Sequence, residues 1–150
     1  LFSQEPKRLV SKDSYVHIYS YTPIEDIEAF LNDGMAILDP EKRELAYVLN
    51  IQSLTFKNAL MQEHFNENYL ESDKYPESTF LGKVVNTAKD KWIVEGDLKI
   101  HGKINQIKVM GVVINKKGLI NISAEFNIKL IDYGIKIPKI VMYKIAEEID

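Results

Sequence analysis

The sequence predicts an all-β fold, an antiparallel barrel of about eight strands with one or two short helices. Three observations carry this. First, Ile120, Ile122, Ala124, Phe126, Ile128 and Leu130 alternate with Asn121, Ser123, Glu125, Asn127 and Lys129, the period-two signature of a two-faced strand. Second, the same alternation recurs over Trp92, Val94, Gly96, Leu98 and Ile100, and over Ile107, Val109, Gly111 and Val113. Third, the runs are separated by short turn-like stretches such as Asn115-Lys116-Lys117-Gly118, the punctuation of a meander.

The elements follow in order. A short strand is expected over residues 15–19. Thr22-Pro23-Ile24-Glu25 has the spacing of a capping box with Pro at the first helical position. With Ile27, Phe30 and Leu31 behind it and Asn32-Asp33-Gly34 as a stop, it predicts a short helix. Strands are then expected over residues 34–38, through Leu45, Tyr47, Leu49 and Ile51, and through Phe80, Gly82 and Val84. Between them Met61, Phe65 and Tyr69 recur every fourth residue beside Gln62, Glu63, Asn66 and Glu67, which predicts an amphipathic helix over about residues 58–69. It is expected to pack against the barrel or across one end. The late run would be tall, roughly 35 Å at about 3.3 Å per residue. A last strand is expected over residues 140–149. Gly82, Gly96 and Gly111 mark bends or bulges within strands.

A chain of 150 residues fits one domain, taken as residues 1–150 with residues 1–8 as a flexible lead. Its 27% charged and 45% hydrophobic residues place it among globular sequences. The net charge of −3 disfavours nucleic acid as a partner, and the aromatics fall on aliphatic faces instead of interleaving with basic residues. The absence of cysteine removes disulfides, thiol nucleophiles and thiolate metal sites. Leu1-Phe2-Ser3-Gln4, without an initiator Met, reads as the tail of a signal peptide or as a cropped chain.

No phosphate-loop, dinucleotide, nucleophile-elbow or paired-histidine motif occurs. His17, His64 and His101 are far apart in sequence, so no metal or other cofactor is expected. Glu63, His64, Glu67 and His101 are the candidates for acid–base work at a barrel mouth, against the plainer reading of a solvated helix face. The later half is rich in lysine, from Lys99 to Lys144, which either keeps the exterior soluble or docks transiently on anionic lipid. The alternating strands define an interior of Tyr47, Leu49, Ile51, Phe80, Val84, Trp92, Val94, Leu98, Ile122, Phe126 and Ile128. These side chains either fill a core at normal density or line a cavity.

Four stretches decide between these. Residues 65–76 (FNENYLESDKYP), Ser78-Thr79-Phe80, Glu95-Gly96-Asp97-Leu98-Lys99-Ile100-His101-Gly102, and Asp132-Tyr133-Gly134-Ile135 lie in an order and spacing that resembles the YceI-like, polyisoprenoid-binding family over about residues 45–149. The resemblance implies a lipocalin-like extended barrel with an elongated apolar tunnel for an isoprenoid or other lipid. It also implies export to the periplasm or secretion. The chain departs from many relatives at Leu130 and at Gln62-Glu63, where they carry Arg and an Arg-Asp pair, so no headgroup contact carries over.

The expected function is therefore non-enzymatic binding or transport of a lipid-like ligand, with the interior residues above as the lining. Burial contributes about 0.8 kcal/mol per CH₂, so a carrier needs no catalytic group. Tyr47, Trp92 and Tyr133 each offer a polar tip for a headgroup. The rivals are an enzyme at the barrel mouth and a ligand-free interaction module, and a homodimer is compatible with each.

Overall fold

The computed structural model describes residues 8–20, 27–117, 119–135 and 148–149. An eight-stranded antiparallel sheet is built from β1 (Leu9–Ser20), β2 (Ile27–Asp39), β3 (Glu44–Asn50), β4 (Thr55–Phe56), β5 (Glu77–Ala88), β6 (Lys91–Ile100), β7 (Lys103–Lys116) and β8 (Leu119–Ala124). Neighbours run β1-β2-β3-β5-β6-β7-β8, with β4 added beside β2. Two further pieces, β9 (Ile128–Lys129) and β10 (Glu148–Ile149), pair with each other. The sheet curls as a half-barrel, and among the described residues no ladder joins β8 to β1.

Alternation produces the two faces as the sequence requires. On β6, Val94, Gly96 and Leu98 are buried while Lys91, Asp97 and Lys99 are exposed. On β7, Val109, Gly111 and Val113 are buried while Ile104, Lys108, Met110 and Ile114 are exposed. β5 and β6 meet with Gly82 opposite Gly96, and a Cβ on Gly96 would fall 2.3 Å from the Leu81 carbonyl oxygen. That separation leaves no room for a side chain, so the two strands approach closely only because residue 96 is glycine.

α1 (Ala59–His64) starts at Asn58, whose side-chain oxygen accepts the Leu60 and Met61 backbone N–H groups at 2.9 and 3.3 Å. It continues into a π-helical turn over Phe65–Tyr69, closed by the Leu70 N–H donating to the Phe65 carbonyl at 2.9 Å. The extra residue in that turn lets Phe65, Tyr69 and Leu70 all become buried. They join Ile51, Leu54, Phe56, Leu98, Leu130, Tyr133 and Ile135 in a cluster that closes one end of the curled sheet. The stripe of Met61, Phe65 and Tyr69 expected from the sequence is the face that makes this plug.

Three expectations are corrected. The predicted first helix is absent where it can be seen: Ile27, Phe30 and Leu31 lie in β2, paired to β1, while residues 22–26 fall outside the described residues. Ladder bonds to β1 and the burial of Ala29 and Leu31 at spacing two outweigh the local cap signal. Asn32-Asp33-Gly34, read as a helix stop, instead lies at a register shift opposite Ser14–Val16. The tall late strand ends at Ala124: residues 125–127 leave the sheet, Ile128–Lys129 pair with β10, and Leu130–Tyr133 form a 3₁₀ turn. Burial of Leu130, Tyr133 and Ile135 in the plug draws the chain away from β7. Ile51 likewise leaves β3 and opens a 3₁₀ turn, Ile51–Ser53, capped by Asn50. Residues 140–147 of the expected last strand lie outside the described residues.

The plug should dominate stability. Leu54 is 1% exposed, so Leu54→Ala is expected to cost about 2–5 kcal/mol in urea unfolding. Leu81→Ala, at a residue 61% exposed on the outer face, should stay within about 0.5 kcal/mol of the native chain.

Candidate functional site

The concave face of the sheet carries most of the residues expected to line the interior, and they divide into two zones. At the α1 end Leu98 belongs to the packed cluster, with Leu49, Phe80, Ile107 and Ile128 against it. Towards the opposite end Leu38, Val84, Val94, Val109 and Val113 are buried yet stand outside that cluster. This second zone is floored by valines and by Gly96 and Gly111, while the Phe80 ring and Val94 lie against Gly82, within 2.7 Å of where a Cβ would stand. Trp92 stands opposite Gly111 across the β6–β7 ladder and is half-buried.

The expected lining residues therefore part company. Leu49, Ile51, Phe80, Leu98, Ile128 and Tyr133 belong to the plugged end. Val84, Trp92, Val94 and Ile122 belong to the valine and glycine zone or its margin, Ile122 facing Val113 from β8, while Tyr47 pairs with Phe80 and turns its hydroxyl towards Ser14 on β1. Phe126 is 41% exposed in the segment after β8, so the interior position expected for it is corrected. The alternation that suggested it ends two residues earlier. Leu38, Val109 and Val113 were not among the expected lining residues, although Val109 and Val113 share the parity of Ile107 in a run already read as a strand.

The tyrosines are engaged within the protein. The Tyr47 hydroxyl lies 2.8 Å from Ser14 Oγ, and Ser14 donates to the Gly34 carbonyl at 2.5 Å. A Cβ at residue 34 would collide with this hydroxyl, so glycine there is what lets the ring lie across β2. Burial pushes the Tyr47 phenol above its ordinary value, with Asp33 adding to this and the Ser14 bond opposing it. Tyr133 is 2% exposed, and burial, then the charge of Asp132, raises its phenol also, against a hydrogen bond with Asn105.

A polar latch crosses the plugged end. His101 has φ 56° in the turn between β6 and β7, followed by Gly102 at φ 71°. Its Nδ1 lies 3.0 Å from the Tyr133 carbonyl, and its Nε2 lies 2.9 Å from Glu71 Oε1. Two acceptors facing one ring are both satisfied when each nitrogen carries a proton. The Tyr75 ring stands edge-on to the imidazole at 4.7 Å, and Lys74 Nζ reaches Glu71 Oε2 at 3.2 Å. The His101 hydrogen bond, then that from Lys74, holds the Glu71 carboxyl below its ordinary value of 4.5. This latch pins the 3₁₀ turn to the β6–β7 hairpin, a structural employment for a histidine that the sequence offered as an acid–base candidate.

Glu63 and Glu67 do not meet it. They border an open cleft of about 420 Å³ with Gln52, Ala59, Gln62, Asn66, Ser72 and Asp73. Among the described residues no group of three or more His, Asp or Glu side chains is placed to hold a metal ion. Nor, among them, is any helix long and apolar enough to cross a membrane.

A family model described as the YceI-like domain matches residues 18–150. No curated protein matches by sequence. Among solved structures, BcnA of Burkholderia cenocepacia is similar at 17% identity and a TM-score of 0.76, covering 95% of this chain and 91% of its own. A polyisoprenoid-binding domain from Saccharophagus degradans, implicated in plant cell wall breakdown, has 12% identity and a TM-score of 0.76 over 97% of this chain and 94% of its own. The YceI protein of Campylobacter jejuni has 19% identity and a TM-score of 0.62, covering 99% and 81% respectively.

The latch makes a pH prediction. Because Glu71 is lowered in the folded chain, its contribution is present above the unfolded value near 4.5 and is lost as pH falls through the folded value. Thermal midpoints of Glu71→Gln should lie below those of the native chain at pH 7, and the gap should close as the pH falls from 4.5 through the lower folded value.

Proposed function

This chain belongs to the YceI-like domain family, and on that premise we propose that it is a non-enzymatic binder and carrier of a long apolar or amphiphilic ligand, an isoprenoid or another lipid. One observation carries the reading: Val84, Val94, Val109 and Val113, with Gly96 and Gly111 among them, surface the concave face away from α1, buried but apart from the packed cluster. A protein that needed only a core would be expected to fill that zone with large side chains, as it does at the α1 end. The likeness in fold to the polyisoprenoid-binding domain of Saccharophagus degradans supports the ligand class.

In this reading the acyl or prenyl chain lies along the valine and glycine zone, with Trp92 and Ile122 as walls. The plug of Leu54, Phe65, Tyr69 and Tyr133 closes the far end. Each buried CH₂ contributes about 0.8 kcal/mol, offset in part by the loss of ligand freedom, so ligand length sets affinity. The chain acts as a single domain over residues 1–150, and its setting is the periplasm or outside the cell. Binding needs no acid–base group, in keeping with His101 and Glu71 being joined in the latch.

Native mass spectrometry of untreated protein, followed by organic extraction, should give an added mass that resolves to a prenyl or acyl compound. Val94→Phe, which places a ring on the valine floor, should lower affinity for a long-chain ligand about tenfold to a hundredfold. Its far-ultraviolet circular dichroism should stay that of the native chain. Full ligand content in this variant, or a native chain that binds no hydrophobic probe, would count against the reading.

A further inference from the structure

Antiparallel order sends three hairpins, β2–β3, β5–β6 and β7–β8, to the end of the sheet opposite α1. Each of them places a cation in a left-handed backbone slot: Arg43 at φ 59°, Lys89 at φ 51° and Lys117 at φ 52°. Glycine, asparagine or aspartate fills such slots with less strain, so local turn chemistry does not account for a basic residue in all three. Lys42, Lys91 and Lys116 flank them, and all six are exposed. Among the described residues none of the six forms an ion pair. Among the described residues the exposed carboxylates at this end are Glu41, Glu44 and Asp90, while Asp39 is buried, accepting the Glu41 and Lys42 N–H groups with Arg8 at 4.0 Å. Positive charge therefore predominates at the hairpin end of a chain whose net charge is −3.

Apolar side chains stand exposed among these cations. Leu119 is 78% exposed beside Lys116 and Lys117 on the β7–β8 hairpin, and Ile114 on β7 and Val85 on β5 are about half exposed. An aliphatic tip ringed by lysine suits a surface with hydrocarbon below and anions above. Nucleic acid would call for exposed aromatics to stack on bases, and these tips are aliphatic.

We propose that the three-hairpin end docks on a bilayer surface carrying anionic headgroups, with Arg43, Lys89 and Lys117 as its electrostatic contacts and Leu119 entering the interface. The surface goes beyond the cargo reading, because docking is read on vesicles whether or not the protein holds a ligand. It also lies at the end towards which the valine and glycine zone extends, so a docked molecule would exchange cargo without crossing water.

The test is co-sedimentation of the full chain with vesicles of phosphatidylethanolamine and phosphatidylglycerol, against vesicles of phosphatidylcholine alone. The native chain should bind the anionic vesicles preferentially and lose binding as salt rises to about 0.5 M. Arg43→Asn, Lys89→Asn and Lys117→Asn together keep residues that tolerate the left-handed slot, so the thermal midpoint should hold or rise. Vesicle partitioning should fall roughly fivefold per cation removed, on the order of a hundredfold for three. Leu119→Ser should weaken binding further, and native mass spectrometry should show the same cargo in every variant. Equal binding to both vesicle types, or unchanged binding by the triple variant, would overturn the proposal. So would a concentration-dependent dimer that the three substitutions abolish in the absence of vesicles, since that assigns the surface to a second copy.

Discussion

The constraint on which the rest depends is the register of β5 against β6, where Gly82 faces Gly96. A side chain at residue 96 would meet the backbone of β5, so this pair fixes how closely the two central strands approach. Once it is set, period two assigns every other residue: Phe80, Val84, Val94 and Leu98 inward, Leu81, Lys83, Asp97 and Lys99 outward. A slip of one residue would exchange those sets, exposing the apolar row and burying lysines without partners. β3 and β7 inherit their faces by pairing to β5 and β6.

The two ends of the sheet then differ for a simple physical reason. At one end the chain leaves the ladder for long excursions, residues 51–76 and 125–135, and these carry large side chains that fill the space they enclose. The π-helical turn and the latch of His101, Glu71 and the Tyr133 carbonyl hold them there. At the other end the described residues turn back in tight hairpins, and the concave face there carries the valines and glycines of the strands. The two ends therefore differ in what surfaces them, large interlocked side chains at the α1 end and valines with glycines at the other.

Charge follows the same division. The outer face carries few pairs, such as Lys108 with Glu95 at 3.2 Å, which contribute little in water. The buried or half-buried polar groups, Asp39, Ser14 with Tyr47, and His101 with Glu71, instead fasten turns and the register shift of β1 against β2. Those interactions replace hydrogen bonds that burial would otherwise forfeit, so they fix conformation more than they add stability.

By itself the sequence determined the all-β class, the faces of β5, β6 and β7, the apolar stripe of Met61, Phe65 and Tyr69, and the family, because alternation and the stretch from Phe65 to Pro76 are local signals. It could not say that Ile27, Phe30 and Leu31 would join β2, since ladder bonds to β1 are invisible to a capping box. It could not say that the late run would end at Ala124, because the burial of Leu130 and Tyr133 against residues some seventy positions earlier decides that. Nor could it separate the packed half of the interior from the valine and glycine half, since Leu98 and Val94 occupy the same face of one strand. Only the tertiary structure, by placing the plug over one of them and not the other, made that distinction.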